Sequence, residues 1–350
     1  MLITSDFCGA NITVKGIDGD TVYLENQIRD TTEDWFYWAF CIEGAEGRTV
    51  RFVFDKMRVG YFGAAKSHDL KNWEWTRGEC GEKFFTYTFA KDENKVYFAH
   101  NMVYSPDMLT DFCNRLGIPM RTLCQSEKGR EVPFFEVGDG EEVLLLAARH
   151  HACESTGNYV IEGIVERFLE NPIDGLRIIC VPIVDIDGVI DGDQGKARAP
   201  YDHNRDYAVD TPPIYSSTRA IKELISDKKL RYAFDCHAPW HFSGENDSVF
   251  LVRNSHEKDA LIERFARLLE ESITPESLPY KATNDHGADL TWNHTTSPTF
   301  SNYMLNTQGA EISFTVETTY FDAQGTEFSQ EAAREFGRCY AEAIRKYHKH

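Results

Sequence analysis

From about residue 121 to the C-terminus, short apolar runs alternate with segments of helical period, and this alternation limits the fold more than any other feature. The runs Val143–Arg149, Leu176–Val184, Leu230–Cys236, Ser248–Val252 and Ala310–Glu317 read as strands. Between and after them Glu154–Glu170, Ser217–Asp227, Glu257–Glu270 and Ser329–Lys346 read as helices. A βα alternation of this kind predicts a mostly parallel sheet with helices on both faces. Such sheets place their ligand sites at the carboxyl ends of strands.

Residues 1–120 have a different texture. Short β-rich runs (Ile12–Lys15, Thr21–Ile28, Trp35–Ile42, Thr49–Asp55, Phe84–Phe89, Val96–Ala99) are punctuated by the turn segments GIDG, GAEG and KDEN. That pattern predicts an antiparallel β-sandwich. The dense aromatics here, among them Trp35, Phe36, Trp38 and Phe85, are assigned to its core rather than to a binding platform. A single helix over Ser105–Leu116, with Pro106 at its start, closes this part. The expected division is a sandwich domain over 1–120 and a larger α/β/α domain over 121–350, with the boundary near 118–125.

A formal charge of −19 argues against nucleic acid or an anionic membrane surface as partner, since both require a basic face. The first residues, MLITSDFCGANITV, show no basic region followed by an apolar core, so no signal peptide is read there. No apolar run approaches the length of a membrane span. The nine cysteines are scattered and contain no C-x-x-C pair, which reads as reduced thiols in a cytoplasm.

Chemistry-bearing residues fall where the strands end. The run Val143–Ala148 is followed by Arg149, His150 and His151, with Glu154 three residues later. At that separation in a first helical turn, His151 and Glu154 would share a face and offer two ligands to a divalent metal, zinc above all. Strand alternation should point His150 away from it. The segment FDCH brings His237 to the end of another strand as a third ligand; His241 is the competitor four residues on. Cys153 and Cys236 lie inside these motifs and are read as buried thiols rather than as ligands. Glu317 sits near the end of an apolar strand, where an acid is unfavourable unless paired or used. Beside a metal-activated water it would be a general base. In DHNRDY, Asn204 precedes Arg205, whose planar fork matches a carboxylate. Two histidines and one glutamate leave a fourth position open, as catalytic zinc sites do. Together the set describes hydrolysis of an amide next to a free carboxylate.

These motifs resemble those of the zinc metallocarboxypeptidases, in particular the cytosolic carboxypeptidase-like branch. The likeness runs through ARHHACES, Asp235 and His237, the turn DIDG at Asp185–Gly188, Asn204 and Arg205, and FTVE ending in Glu317. It implies one zinc ion on His151, Glu154 and His237, Glu317 as the catalytic glutamate, and Asn204 and Arg205 on the substrate carboxylate. It also implies a carboxypeptidase-like α/β/α domain behind a small sandwich. Three departures stand out. The arginine that follows the turn in the branch falls at Gly195 here, with Lys196 and Arg198 beside it as substitutes. No tyrosine stands at the expected distance before Glu317, leaving Tyr303 as the nearest one. Ala152 and Cys153 replace the usual Pro-Gly between the ligands. The implied activity is removal of a C-terminal residue from a peptide. The alternatives are a same-fold amidohydrolase acting on a small acylated amino acid or cell-wall peptide, and a non-catalytic peptide-binding protein. The residues that set substrate preference are expected within 271–309, a stretch poor in pattern.

Overall fold

The structure, a computed structural model, describes residues 1–290 and 292–349. The first ten strands are β1 (Leu2–Thr4), β2 (Thr13–Asp18), β3 (Thr21–Glu25), β4 (Ala39–Glu43), β5 (Thr49–Phe54), β6 (Ala65–Ser67), β7 (Glu74–Trp75), β8 (Cys80–Gly81), β9 (Phe84–Thr88) and β10 (Lys95–Ala99). They form two five-stranded sheets, in the orders β1-β4-β10-β6-β7 and β2-β3-β5-β9-β8. All pairings are antiparallel except β3 with β5. Alternation decides what fills the sandwich. In β5 the side chains of Val50, Phe52 and Phe54 are buried while Thr49 is exposed. They meet Trp38, Phe40, Phe85 and Phe98, with Phe52 and Phe85 stacked at 4.7 Å and Trp38 and Phe85 at 5.7 Å. Most of the aromatic richness of this part is therefore core.

The first sheet is buried on its second face too. Ala39, Ala65, Trp75 and Ala99 belong to the same apolar cluster as the strands that follow. Trp75 Nε1 donates to the carbonyl of Phe328 at 2.9 Å. Helix α1 (Pro106–Leu116) contributes Met108, Leu109 and Phe112 to that cluster, starts on a Ser105 cap and ends on Gly117 in the left-handed region.

The remaining elements are β11 (Arg121–Gln125), β12 (Glu131–Val137), β13 (Glu142–Ala148), α2 (Thr156–Glu170), β14 (Leu176–Val181), α3 (Ile186–Asp191), α4 (Ser216–Ile225), β15 (Lys229–His237), β16 (Phe250–Arg253), α5 (Asp259–Glu270), α6 (Phe300–Asn306), β17 (Ile312–Glu317), the short pair β18 (Asp322–Ala323) and β19 (Thr326–Glu327), and α7 (Gln330–His348). Seven strands make one mixed sheet, β11-β12-β14-β13-β15-β17-β16. The central four run parallel, and the outer strands β11 and β12 on one side and β16 on the other pair antiparallel. Helices cover both faces. Phe234 of β15 packs on Phe265 of α5 and Tyr340 of α7, while Asp235 points the other way, toward His150 and the α6 side. Helices α2 and α7 approach so closely that a Cβ on Gly337 would lie 2.1 Å from the Val160 carbonyl oxygen. Among the described residues no helix is long and apolar enough to cross a membrane.

Several local expectations shift. Residues 121–137, where the pattern above marks no strand, form β11 and β12. Most of β11 is exposed, so it carries no hydrophobic alternation to read. Strand β13 stops at Ala148, because Arg149 takes a φ of 62° and turns the chain. The stretch 271–309 contains α6, seated against β15 and β17.

Candidate metal and substrate site

The carboxyl ends of β13, β15 and β17 lie side by side and supply the centre of the site. His237 and Glu317, the last residues of β15 and β17, are register partners in the parallel pair. His151 and Glu154 come from the turn after β13, not from a helical turn, since α2 begins only at Thr156. A backbone hydrogen bond from Glu154 N to His151 O, 3.2 Å, closes that turn and turns both side chains inward. His151 Nδ1 lies 2.9 Å from Glu154 Oε1 and 3.2 Å from His237 Nδ1; His237 Nδ1 lies 2.6 Å from Glu154 Oε2.

The opposite nitrogen of each ring is taken. His237 Nε2 faces Asp235 Oδ2 at 2.7 Å, and His151 Nε2 faces both oxygens of Asp202 at 3.2 Å. A proton shared with an aspartate on Nε2 leaves the lone pair of each imidazole on Nδ1. Two lone pairs and a carboxylate then converge on one point, an arrangement that could hold a divalent cation. Tetrahedral zinc with bonds of about 2.0–2.1 Å to nitrogen separates its donors by roughly 3.3 Å, close to the gap between the two Nδ1 atoms. The residues fit such an ion.

His150 points away from this point, as alternation requires. It is fully buried, with Nδ1 2.7 Å from Asp235 Oδ1 and Nε2 2.8 Å from the Tyr207 hydroxyl. Asp235 thus orients two histidines at once. His241 lies elsewhere, stacked on Phe36 at 4.5 Å. Cys153 and Cys236 are buried thiols outside the converging group.

Electrostatics follow from burial and neighbours. Against its burial, Lys196, His151 and His237 hold the Glu154 carboxylate well below the usual range. Burial pushes the Glu317 carboxyl up to about 7, and the Glu154 charge adds to the rise. Glu317 Oε2 is buried without a hydrogen-bond partner. Such an orphaned acceptor is costly unless something else uses it.

Lys196 and Arg198, adjacent in sequence, separate here. Lys196 Nζ enters the cleft, pairs with Glu154 Oε1 at 2.6 Å and donates to the Ala238 carbonyl at 3.1 Å. Arg198 turns away into an acidic group of Asp185, Asp193 and Asp30 and does not line the cleft. Gly195 cannot carry a side chain: its φ is 77°, and a Cβ would lie 2.1 Å from the Ala152 nitrogen. The segment is clamped by the sandwich. Asp30 accepts from Gln194 N at 3.1 Å and Gly195 N at 2.7 Å, and Gln194 Oε1 accepts from Tyr37 N at 2.9 Å.

Arg205 lines the cleft beside the ligand group, and Asn204 lines its inner part, with its Oδ1 accepting from Phe300 N at 3.0 Å. Tyr303, expected at the site as the nearest tyrosine before Glu317, stands outside it. It is buried on α6 away from the cleft lining, its hydroxyl bonded by Gln308 Nε2 at 2.9 Å and its ring covered by Lys222 at 4.5 Å. The turn of α6 that sends Ser301 to the cleft carries Tyr303 to another side of the helix.

The cleft has two parts. The outer one, about 690 Å³, is walled by Trp35, Trp240, Trp292, Phe250 and Lys196. The inner one, about 60 Å³, continues past His237 and Glu317. Asp202 and the three tryptophans were not anticipated as site residues. An aspartate two residues before Asn204 is a weak signal, and nothing local marks an aromatic as a cleft wall. The stretch 271–309 does reach the site, through Trp292, Asn293, His294, Ser297, Thr299 and Ser301.

No family model matches the chain. In sequence it is similar to an uncharacterised protein of Zymomonas mobilis, 24% identical over 254 residues that make up 67% of each chain. It is also similar to human cytosolic carboxypeptidase 2, 26% identical over 230 residues, which are 57% of this chain and 25% of the human one. The match thus spans about a quarter of the length of that relative. In structure it is similar to a metallo-carboxypeptidase from Burkholderia cenocepacia, with a TM-score of 0.82 and 19% identity over 99% of this chain and 98% of the other. A metallo-carboxypeptidase from Pseudomonas aeruginosa, solved with (2-guanidinoethylmercapto)succinic acid, aligns over 100% of this chain and 99% of its own with a TM-score of 0.79 and 19% identity.

Proposed function

We propose that this chain, which belongs by sequence kinship and fold with the metallocarboxypeptidases of the cytosolic branch, hydrolyses the C-terminal amide bond of peptides. The observation that carries the reading is the convergence of His151, Glu154 and His237 in the same cleft as Arg205 and the unpartnered oxygen of Glu317. A divalent ion held by that triplet, zinc by its donor set, would polarise a carbonyl and acidify a water.

The other roles belong to the chain itself. The guanidinium of Arg205 binds the terminal carboxylate as a fork, with Asn204 fixing the floor beside it. Glu317, near neutral in its affinity for a proton, accepts one from the attacking water and returns it to the leaving amine. Lys196 faces the carbonyl oxygen on which negative charge develops, the role for which Arg198 is no longer a candidate. Trp35, Trp240 and Trp292 narrow the outer cleft and exclude water from the reacting bond. Trp35 is contributed by the segment between β3 and β4, so the sandwich forms one wall; this favours short substrates and keeps a small acylated amino acid as the second reading. All nine cysteines are unpaired, in keeping with the cytoplasmic location that is part of the proposal.

The test compares peptides with free and amidated C-termini on the zinc-loaded protein, following released residues by mass spectrometry. Single residues should leave only the free-acid series. Arg205→Ala should raise KM on that series by about 10- to 100-fold, the worth of a lost charge-assisted pair. Internal cleavage, or equal turnover of amidated peptides, would overturn the assignment.

A further inference from the structure

The inner recess shows which C-terminal residue the site accepts, on the carboxypeptidase reading above. Arg205 and Glu317 line both the recess and the outer part. A substrate with its carboxylate on Arg205 and its scissile carbonyl beside Glu317 has a single residue between the two; with the rest of the peptide in the roomier outer part, that side chain is directed to the recess.

One side of it is small, polar and uncharged, and Val252, Trp292 and His294 complete the lining. Asn254, Ser301 and Thr315 are all buried and are joined in a row: Asn254 Nδ2 donates to Ser301 Oγ at 2.5 Å, and Ser301 Oγ lies 3.5 Å from Thr315 Oγ1. Among the described residues that line the recess, Arg205 is the only lysine or arginine and Glu317 the only carboxylate. Arg253, which lies between two lining residues, is turned outward by strand alternation. Val252 and Asn254 line the recess, while the Arg253 guanidinium lies toward Asp259, Nε to Oδ1 3.4 Å. Lys281 does not reach it.

Size points the same way. The inner part holds about 60 Å³ against about 690 Å³ in the outer part. A methyl or hydroxymethyl group suits the smaller space better than a phenyl ring or a guanidinium. A glutamate side chain would be desolvated with no lysine or arginine to meet it beyond the Arg205 that holds the terminal carboxylate. Hydroxyls of a substrate, by contrast, find the Asn254–Ser301–Thr315 row within reach.

We propose that the recess formed by Asn254, Ser301 and Thr315 selects a small uncharged C-terminal residue (alanine, serine or threonine) over acidic, basic and aromatic ones. The experiment uses peptides identical except for a last residue of Ala, Ser, Thr, Phe, Glu or Arg. Turnover is measured on the zinc-loaded protein, and binding by calorimetry on zinc-loaded Glu317→Gln. Ala, Ser and Thr should exceed the other three by about tenfold or more in both, a discrimination that one or two misfitting methylenes can supply. Asn254→Ala, which opens the wall, should raise the Phe-to-Ala ratio by about tenfold; a ratio is independent of how much variant folds. Preference for Phe, Glu or Arg in the wild type, or an unchanged ratio in Asn254→Ala, overturns this proposal alone. Neither turnover nor binding of any peptide would overturn it together with the carboxypeptidase reading.

Discussion

The Nδ1 atoms of His151 and His237 face each other across 3.2 Å, and the Nε2 atom of each ring is directed at its own aspartate. The aspartates decide which nitrogen carries the proton. Asp235→Asn should weaken zinc binding by about 10- to 100-fold, the usual cost of losing an orienting carboxylate behind a metal-binding histidine. Competition with a chromogenic chelator reads this directly. Unchanged affinity would remove Asp235 from the metal centre. In the wild type, zinc at a hundred times its Kd should stabilise the fold by about 2.7 kcal/mol.

On the proposed mechanism Glu317 moves a proton and does not hold the metal; it stands outside the group His151, Glu154 and His237. Glu317→Gln should therefore leave zinc affinity intact and lower kcat by about 10²- to 10⁴-fold, the range of general-base contributions. A variant that turns over normally would exclude Glu317 as the base.

Lys196 is the cation that enters the cleft where Gly195 leaves no room for a side chain. If its ammonium acts on the transition state, Lys196→Met should reduce kcat by about 10²- to 10³-fold, as loss of one oxyanion donor does, with KM little changed. A rise in KM at constant kcat would instead make it a ground-state contact.

His241 is buried neutral, stacked on Phe36 and with Nε2 unpartnered. Burial, reinforced by Arg58 and Lys196, pushes its pKa down to about 3. The unfolded chain binds a proton near pH 6.5, so the unfolded state gains protons first as the pH falls. Stability from this residue is complete above about pH 6.5 and is lost toward pH 3, at about 1.4 kcal/mol per pH unit. His241→Phe keeps the stack and removes the titration. Between pH 7 and pH 5 the variant should lose about 2 kcal/mol less than the wild type in urea unfolding. Parallel losses would show that His241 is protonated in the folded state.

Legibility followed locality. His237 and Glu317 end strands whose apolar character is written in consecutive residues, and adjacent parallel strands bring their ends together whatever the loops do. Tyr303 was misplaced because only its distance in sequence from Glu317 was available, and the orientation of a short helix is set by what it packs on. Strand β11 went unread because an exposed edge strand needs no apolar alternation. The separation of Lys196 from Arg198 was equally hidden: it depends on Asp30 and Tyr37, more than 150 residues away, gripping Gln194 and Gly195.

By itself the sequence determined the two textures of the chain, the strand ends at or just beyond which His151, Glu154, His237 and Glu317 stand, and a guanidinium at Arg205. These are properties of hydrophobic period and of residue type at a strand end, and both are local. The tertiary structure decided which nitrogen of each histidine is free, which cation enters the cleft, and how small the recess beyond Glu317 is. Those depend on hydrogen bonds and packing between segments far apart in the chain, which local pattern does not encode.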